Sequence, residues 1–449
     1  MGMGMHDLRE EYIDVVESLE GDIPGRQQAL ERIADSDIQA YGAPVEFSYI
    51  PYVFSPEDVA FLEEVCATTH RILGKVIRRF LDVPAYRELF HFSPEVLDLI
   101  LMPCPYEELL PLARFDIFLD DRDLSYKFCE FNTDGSGAMS RDRECGRALM
   151  EGEAFRRFSQ LHPLEQFDLF DSWVKAFMDT YRSCGRFPEV PTVAVTDFTE
   201  SGVMSDFVRF IAAFERAGIP ARFVDVRSFT YDGEHLIDPS DGTVINAIYR
   251  RSVTSEMLQH PGECEAFIQA TRDMNVCTIG HFRTTVVHSK MVSVALHDEA
   301  TLAFLTEEER AFVKAHVPRT YRLRDDAPIS AQAIKADKDQ WILKPEDDYG
   351  AHGVFAGIDA SEEEWVRIVD EHWNSGYIVQ EYYLPHLISL MPTRVGADGD
   401  AMRVEDWHTM PGLYTYNGAL AGVYSREGRE GVIALDHGGL ISPSFRVCS

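Results

Sequence analysis

The sequence lacks paired cysteines and any excess of basic charge. Its eight cysteines, at positions 66, 104, 129, 145, 184, 264, 277 and 448, include no CxxC pair, which argues against a zinc site and against a disulfide framework. Acidic side chains number 75 against 42 basic ones, for a formal net charge of −33. A nucleic-acid backbone is therefore not an expected partner. The charge is compatible with a cationic ligand, although acidic faces also simply keep proteins soluble.

Long apolar runs and low-complexity linkers are also missing. We find no stretch with the length and apolar character of a transmembrane helix, so no membrane partner is expected. Acids occur within the first ten residues and no basic segment precedes an apolar one, so we see no signal peptide and expect a cytoplasmic protein. With 449 residues, 45% hydrophobic and 26% charged, the chain has the composition of a soluble globular enzyme of two or three packed modules.

The order of predicted elements indicates an α/β (α+β) protein. Residues 1–110 are predicted as a helical N-terminal region, with a long helix that begins after the N-cap Ser55. Residues 111–185 begin with a β-rich segment and continue as helix. Residues 186–285 are predicted as a parallel module, because "TVAVTDF", "SDFVRFIAAFERAGI" and "ARFVDV" are typical of a strand, a helix and a strand. Residues 286–449 then mix helices with short strands.

Two local signals define elements in the last of these segments. Ser361 and Glu364 match a capping box, which predicts a helix beginning after Ser361. The Asn417-Gly418 pair between "LYTY" and "ALAGVY" predicts a tight hairpin.

The stretch "ARFDIFLDDRDLSYKFCEFNTDGSG", residues 113–137, is predicted to form an antiparallel hairpin. Two alternating runs flank a polar turn whose apex we place between Arg122 and Asp123. This register puts four polar side chains on one face, with Asp116 opposite Glu130 and Arg114 opposite Asn132. The other face is predicted to carry Phe115, Ile117, Cys129 and Phe131. A slip of one residue would exchange the faces.

Directly opposed carboxylates on a hairpin repel each other, so a positive charge is expected beside Asp116 and Glu130. Mg2+ is one candidate, because it prefers oxygen ligands, takes one or two carboxylates and leaves its other positions to water and phosphates. The alternative is an acidic pair stabilised by Arg114 alone on a solvent-exposed sheet.

The stretch "WILKPEDDYGAHGVFAG", residues 341–357, is predicted as a strand ending on Lys344, an acidic loop with Gly350 and Gly353, and a second strand. It is not a Walker A loop, because the lysine precedes the glycines and no GK[ST] follows. Glycines nevertheless allow backbone N–H groups to approach a phosphate, and Lys344 would neutralise its charge. An ordinary glycine-rich hairpin is the alternative.

Two downstream stretches add polar groups. "GYIVQEYYLP" is predicted as a strand in which Gln380, Glu381 and Tyr382 meet an adenine edge through backbone groups and a polar side chain. "GLYTYNGALAGVYSREG" supplies Arg426, which is suited to a transferred phosphate or a developing oxyanion. A surface arginine in an exposed loop remains the alternative for Arg426.

A third feature is Tyr249-Arg250-Arg251, at the end of a predicted strand, where α/β sheets bind ligands. We expect it either to hold an acidic substrate or to form ordinary surface ion pairs.

Together these stretches resemble the ATP-grasp ligases, and among them the glutathionylspermidine synthase group and its circularly permuted relatives. The matching pieces are "RFD", "CEFNTDGS", "WILKPEDDYGAHGVFAG", "IVQEYYLP" and "AGVYSREG", and the resemblance covers about residues 110–445. It implies an ATP-grasp fold in circularly permuted order, with the metal carboxylates before the lysine and glycine loop. Residues 111–185 would be the metal-binding part of the core, 186–285 a pre-ATP-grasp-like substrate module, and 286–449 the nucleotide-binding part.

The resemblance also implies roles for single residues. Asp116, Glu130 and Asn132 would bind Mg2+. Arg114 and Ser136 would contact the reacting carboxylate or its phosphorylated form. The residues that would bind ATP are Lys344, the 346–353 loop with Gly350 and Gly353, Gln380, Glu381 and Tyr382. Arg426 would lie at the phosphoryl group that is transferred. Lys290 would be the other ATP lysine, with Lys335 as its competitor.

The function implied is an ATP-dependent carboxylate–amine ligase that forms an acyl phosphate and joins a peptide-like acid to an amine, with polyamines among the candidates. Before residue 110 there is no room for the cysteine amidase domain of the bifunctional members, so hydrolysis of the product is not expected. Two other classes stay open: an ATP-dependent phosphotransferase acting on a small molecule, and a non-catalytic nucleotide-binding module. The sequence does not define the acid, the amine or the oligomeric state.

Overall fold

Helices dominate the first hundred residues and alternate with strands after them in the computed structural model, which describes residues 3–346, 353–395, 403–435 and 438–448. The helices are α1 (Met5–Ser18), α2 (Ile23–Ala34), α3 (Pro56–Asp82), α4 (Pro84–Arg87), α5 (Pro94–Ile100), α6 (Met139–Leu149), α7 (Glu153–Leu161), α8 (Asp171–Ser183), α9 (Met204–Arg216), α10 (Thr254–Gln259), α11 (Glu265–Arg272), α12 (Thr285–His288), α13 (Met291–Ala295), α14 (Glu299–Leu302), α15 (Glu307–His316), α16 (Ala331–Ala336) and α17 (Glu362–His372).

The strands form parallel and antiparallel sheets, so the fold is mixed α/β. They are β1 (Gln39–Ala40), β2 (Ala43–Pro44), β3 (Tyr52–Phe54), β4 (Leu112–Leu119), β5 (Tyr126–Asn132), β6 (Leu164–Gln166), β7 (Val193–Asp197), β8 (Ala221–Asp225), β9 (Thr230–Tyr231), β10 (Leu236–Asp238), β11 (Thr243–Ile245), β12 (Ala247–Arg250), β13 (Cys277–Ile279), β14 (Thr320–Arg322), β15 (Trp341–Pro345), β16 (Phe355–Ala356), β17 (Tyr377–Glu381), β18 (Leu387–Leu390), β19 (Glu405–Tyr416), β20 (Ala419–Gly428), β21 (Leu440–Ser442) and β22 (Ser444–Val447).

Helix starts follow the capping signals in the sequence. At α3 the Ser55 hydroxyl accepts a hydrogen bond from the Asp58 N–H at 3.2 Å, and the Asp58 carboxylate accepts one from the Ser55 N–H at 2.8 Å. The predicted capping box of Ser361 and Glu364 is confirmed at the start of α17. These side chains satisfy N–H groups that have no partner inside a first helical turn.

The predicted hairpin and its register are confirmed in the central sheet. β4 pairs with β5 so that Arg114 faces Asn132 and Asp116 faces Glu130, with the turn around Arg122. The sheet runs in the order β21, β20, β19, β4, β5, so the hairpin is joined to strands from the last part of the chain. The hairpin predicted at Asn417-Gly418 is also confirmed, between β19 and β20.

Cys129 departs from the prediction because the hairpin contains a β-bulge. The register shifts after Asp116, so that Ile117 faces Phe128 and Cys129 has no residue opposite it. A bulge adds one residue to one strand and redirects its side chains. Cys129 therefore contributes to the wall of the cavity described below, and its predicted place on the apolar face with Phe115, Ile117 and Phe131 is wrong.

A parallel sheet lies within the predicted module, in the order β13, β12, β7, β8. Helix α9 connects β7 to β8, as the strand, helix and strand pattern predicted. A further antiparallel sheet, β14, β17, β15, β16, has its own small core with Leu343, Trp365 and Val379, and the predicted strand ending near Lys344 is β15. Among the residues described here, no helix has the length and apolar character needed to span a membrane.

Candidate active site

A cavity of about 310 Å3 lies where the β4–β5 hairpin, the β15–β17 sheet and β20 meet. Its wall contains residues from well-separated parts of the chain. The predicted site residues that line it are Arg114, Glu130, Asn132, Ser136, Lys290, Lys344, Gln380, Glu381, Tyr382 and Arg426. The structure thus brings the polar face of the hairpin together with the lysine and arginine groups that follow residue 285.

Asp116 lies beneath the cavity wall and is fully buried. Arg114 binds its carboxylate through two atoms, with Nε 2.7 Å from Oδ1 and Nη2 3.0 Å from Oδ2. Arg426 forms an ion pair with the same carboxylate, and the Asn132 amide donates to it at 3.0 Å. At Asp116, the positive charge that offsets the opposed carboxylates therefore comes from two arginines. Both oxygens of Asp116 are already engaged.

Glu130 is half-buried and lines the cavity. Burial raises its pKa, but the surrounding positive charges outweigh burial and hold the pKa of Glu130 well below its usual range. These charges belong to Lys290, Arg426, Lys344 and Arg114. Glu130 is thus ionised at neutral pH and presents carboxylate oxygens to any cation that enters.

Lys344 connects the β4–β5 hairpin to the β15–β17 sheet. Its side chain is only 6% exposed, and its Nζ donates to Gln380 Oε1 at 2.8 Å and to the Cys129 carbonyl at 3.3 Å. Gln380 in turn donates to the Thr320 hydroxyl at 2.9 Å. Because Cys129 belongs to the hairpin and Lys344 to β15, this lysine fixes a positive charge beside Glu130.

The strand end at Glu381 and Tyr382 lines the cavity, but its backbone donors are already used. The Glu381 N–H donates to the Arg319 carbonyl and the Tyr382 N–H to the Gln340 carbonyl, each at 2.8 Å. These two N–H groups are therefore not free to meet an adenine edge in this arrangement, and the contact through other backbone groups and a polar side chain stays a prediction. The Tyr382 phenol donates to the Gly431 carbonyl at 3.3 Å, and burial raises its pKa to about 12.

The loop after β5 is held from behind by buried ion pairs. The Ser136 hydroxyl donates to the Asn132 carbonyl at 2.8 Å. Asp134 accepts from the Thr254 N–H at 2.9 Å and forms an ion pair with Arg250 at 2.5 Å. The Arg250 side chain is 1% exposed, so it supports the loop and does not reach the cavity.

Arg251 has a similar supporting position. It lies 3.3 Å from the carboxylate of Asp206, which also accepts from the N–H groups of Ala138 and Ser140 at the start of α6. The expectation that Tyr249-Arg250-Arg251 holds an acidic substrate is therefore wrong. Arg250 and Arg251 do form ion pairs, as the alternative predicted, but these pairs are buried and not on the surface.

The structure separates the two candidate lysines. Lys290 lines the cavity, whereas Lys335 lies on α16 and forms an ion pair with Asp370 of α17. Of the two loop glycines, Gly350 lies outside the described residues. Gly353 adopts a left-handed φ of +66°, and a Cβ there would meet the Tyr377 hydroxyl at 2.7 Å.

Among the side chains of the cavity wall that sequence reasoning missed are Tyr41 and Arg141. Tyr41 is 74% exposed at the turn between β1 and β2, with φ +52°. The Tyr41-Gly42 pair indicates a turn, but nothing in the sequence predicts that this turn lies near the residues around position 130. Arg141 stands in the first turn of α6, directly after the Ser136 loop, and that position was its only signal.

Comparisons with known proteins support an overall fold shared with a synthetase-like protein. No protein-family model and no curated protein matches the chain. Among solved structures, a glutathione synthetase-like effector, GSS30, from Globodera pallida aligns with a TM-score of 0.61 at 14% identity, over 96% of this chain and 97% of that one. At this identity the likeness shows a shared overall fold.

Two further structures are less similar. A protein provisionally named as a gamma-glutamylcysteine synthetase, from Methylobacillus flagellatus KT, aligns over 80% of this chain and 82% of its own with 12% identity and a TM-score of 0.41. The D-cycloserine synthetase DcsG aligns over 43% of this chain and 59% of its own with 16% identity and a TM-score of 0.24. These scores are too low to support a statement about the fold.

Proposed function

We propose that this chain is an ATP-dependent carboxylate–amine ligase that acts through an acyl phosphate. The observation that carries the proposal is the contact of Lys344 with the Cys129 carbonyl, which brings the lysine ammonium group next to Glu130 in a single cavity. A buried cation in that position is suited to an ATP phosphate. The shared fold with a glutathione synthetase-like protein supports the same reaction class. The finer assignment, to circularly permuted ATP-grasp ligases resembling glutathionylspermidine synthase without the amidase domain, rests on the sequence motifs.

Glu130 fits a magnesium ion, because its carboxylate is held ionised and it lines the cavity. Asn132 also lines the cavity and carries an amide oxygen, but its amide nitrogen donates to Glu130 Oε1 at 3.1 Å, so the amide would turn over for that oxygen to join Glu130 at the ion. Within the described ranges no cluster of three or more His, Cys, Asp or Glu side chains is arranged to hold a metal, so ATP phosphates would complete the shell. Bound Mg2+ would neutralise the phosphates and align them. Asp116 fits less well, since its oxygens are engaged, and we assign to it the positioning of Arg114 and Arg426.

The chain's own residues suit the two steps of such a reaction. A carboxylate oxygen is a poor leaving group, and phosphorylation converts it into a good one. Lys344 and Arg426 would stabilise the negative charge of the transferred phosphoryl group. Arg114, held by two hydrogen bonds to Asp116, would orient the carboxylate and then stabilise the oxyanion formed when the amine attacks.

The substrates are an acid and an amine. A peptide-like acid follows from the resemblance. The net charge of −33 is compatible with a cationic amine, and polyamines are one candidate class.

The test incubates the protein with ATP, Mg2+ and pooled small peptides and amines, and follows ADP release and new masses. A ligase releases ADP and phosphate only when both substrates are present, and its product has the mass of acid plus amine less water. A stable phosphorylated product would identify a phosphotransferase instead, and ATP binding without turnover would identify a binding module. Glu130→Gln should abolish turnover, whereas Lys335→Gln, on α16 and outside the cavity wall, is the control and should not.

A further inference from the structure

Two cysteines away from the cavity lie close enough to react with each other. Cys184 follows the last residue of α8, and Cys277 is the first residue of β13. Their sulfur atoms are 3.3 Å apart and both thiols are free. A disulfide bond measures about 2.05 Å, so the sulfurs need to approach by only about 1.3 Å.

The two thiols differ in exposure and in charge. Cys277 is fully buried, whereas Cys184 is partly exposed at the end of its helix. The hydrogen bond from the Cys277 thiol lowers the pKa of Cys184 against the effect of burial, and Arg186 and Arg283 act in the same direction. The same hydrogen bond and burial raise the pKa of Cys277. A thiolate, which is the nucleophilic form, therefore forms more readily on the accessible sulfur of Cys184 than on Cys277.

We propose that Cys184 is a peroxide-reactive thiol and that Cys277 resolves it to an intramolecular disulfide. Such a combination of an accessible thiolate and a neighbouring resolving thiol is typical of redox-sensitive sites. The site is independent of the ligase function, because neither residue lines the cavity.

The chemistry balances with hydrogen peroxide as the oxidant. The Cys184 thiolate attacks one peroxide oxygen, the O–O bond breaks, and the departing hydroxide takes a proton and leaves as water. The Cys277 sulfur then attacks the resulting sulfenic sulfur, the S–O bond breaks, and the hydroxyl group leaves as a second water with the Cys277 proton. Two thiols lose two electrons in total, and the peroxide gains them.

The cross-link would join α8 to the edge strand of the parallel sheet and enclose residues 185–276, which contain β7, β8 and β12. Closing so long a segment restricts the unfolded chain, so oxidation should raise the melting temperature by roughly 5 °C. ATP binding should be unchanged, since the cavity is formed by other residues.

The test treats the full-length protein with hydrogen peroxide, blocks the remaining thiols and digests it with trypsin without a reductant. The expected product is a pair of peptides, residues 183–186 and 273–283, joined through Cys184 and Cys277 and separated by dithiothreitol. Peroxide-treated protein without this cross-link, or with Cys184 joined to Cys104 instead, would overturn the proposal. This measurement needs no variant and is unaffected by folding defects.

Three variants assign the roles. Cys277→Ser should accumulate a sulfenic acid on Cys184 that a dimedone reagent labels, and Cys184→Ser should show neither label nor cross-link. Cys448→Ser removes an exposed thiol elsewhere and is the matched control, so it should cross-link as the wild type does. Labelling of Cys277 in place of Cys184 would contradict the assigned roles.

Discussion

Arg426 and Asp116 are 310 positions apart in the sequence and form an ion pair beneath the cavity. Arg114 binds the same carboxylate, so one buried aspartate holds both arginines of the proposed reaction. Breaking a buried pair by removing one partner leaves an uncompensated charge. The positions of both arginines and the stability of the central sheet therefore depend on the same side chain.

Asp116→Asn should separate a positioning role from a metal-ligand role. Without the carboxylate, Arg114 and Arg426 lose their common partner, and we expect kcat to fall roughly a hundredfold or more. The Mg2+ concentration for half-maximal activity should stay the same, because Glu130 and Asn132 remain. ADP release measured across a Mg2+ titration checks both values. A large shift of the Mg2+ midpoint would show that Asp116 is itself a ligand.

Lys344→Met should weaken ATP binding by roughly ten- to a hundredfold, the range expected when a hydrogen bond to a charged group worth about 1.5–3 kcal/mol is lost. Methionine keeps most of the side-chain volume, so the buried site should still pack. Calorimetric titration with MgATP measures the change. Lys335→Met is the control and should bind like the wild type, since its lysine pairs with Asp370. Equal affinity for the two variants would remove Lys344 from the nucleotide site.

Arg141→Gln should raise the KM for the acid substrate about tenfold or more, with a smaller change in kcat. The Nε of Arg141 is buried and has no hydrogen-bond partner among the described residues, and the side chain lines the cavity. A charged group in this position is suited to a substrate carboxylate that does not react. Arg141→Lys keeps the charge and should be the milder variant. Steady-state kinetics with saturating ATP would show an unchanged KM if Arg141 faces no substrate group.

Glu427→Gln should change the pH dependence of stability. Burial raises the pKa of Glu427 to about 8, against the opposing effects of Ser442, Thr409 and Arg426. Between its unfolded value of 4.5 and about 8 the unfolded state releases the proton while the folded state retains it. This group therefore lowers stability as pH rises through that window, by about 1.4 kcal/mol per unit.

Glutamine cannot ionise, so the stability of the variant relative to the wild type should rise steadily from pH 4.5 to 8. Below pH 4.5 the two proteins should be equally stable. Urea unfolding at several pH values measures the difference. Asp142, whose pKa burial raises to about 8, is present in both proteins, so its contribution cancels. A constant difference across the range would mean that Glu427 is ionised in the folded protein.

The sequence was most informative where side-chain alternation decides the structure. The register of Asp116 and Glu130 follows from two amphipathic runs and a polar turn, and it is confirmed. The bulge at Cys129 has no such signal, because the pairing of the two strands and their packing select it. Tyr41 was missed for a similar reason, since its exposed turn reaches the cavity only through the packing of the N-terminal region.

Arg250 and Arg251 illustrate a further limit. Their place at the end of a strand was predicted correctly, but their role depends on Asp134 and Asp206, which approach from other elements. A strand-end arginine looks the same in sequence whether it binds a ligand or a buried acid. Only the three-dimensional partners decide between them.

The pairing of β4 with β19 joins residues about three hundred positions apart. Contacts of such high sequence separation form slowly, because a long loop must close before any stabilising contact is gained. During refolding, nucleotide affinity should therefore recover only after this pairing, later than the bulk of the helical signal. A fluorescent ATP analogue would serve as a reporter of completed assembly.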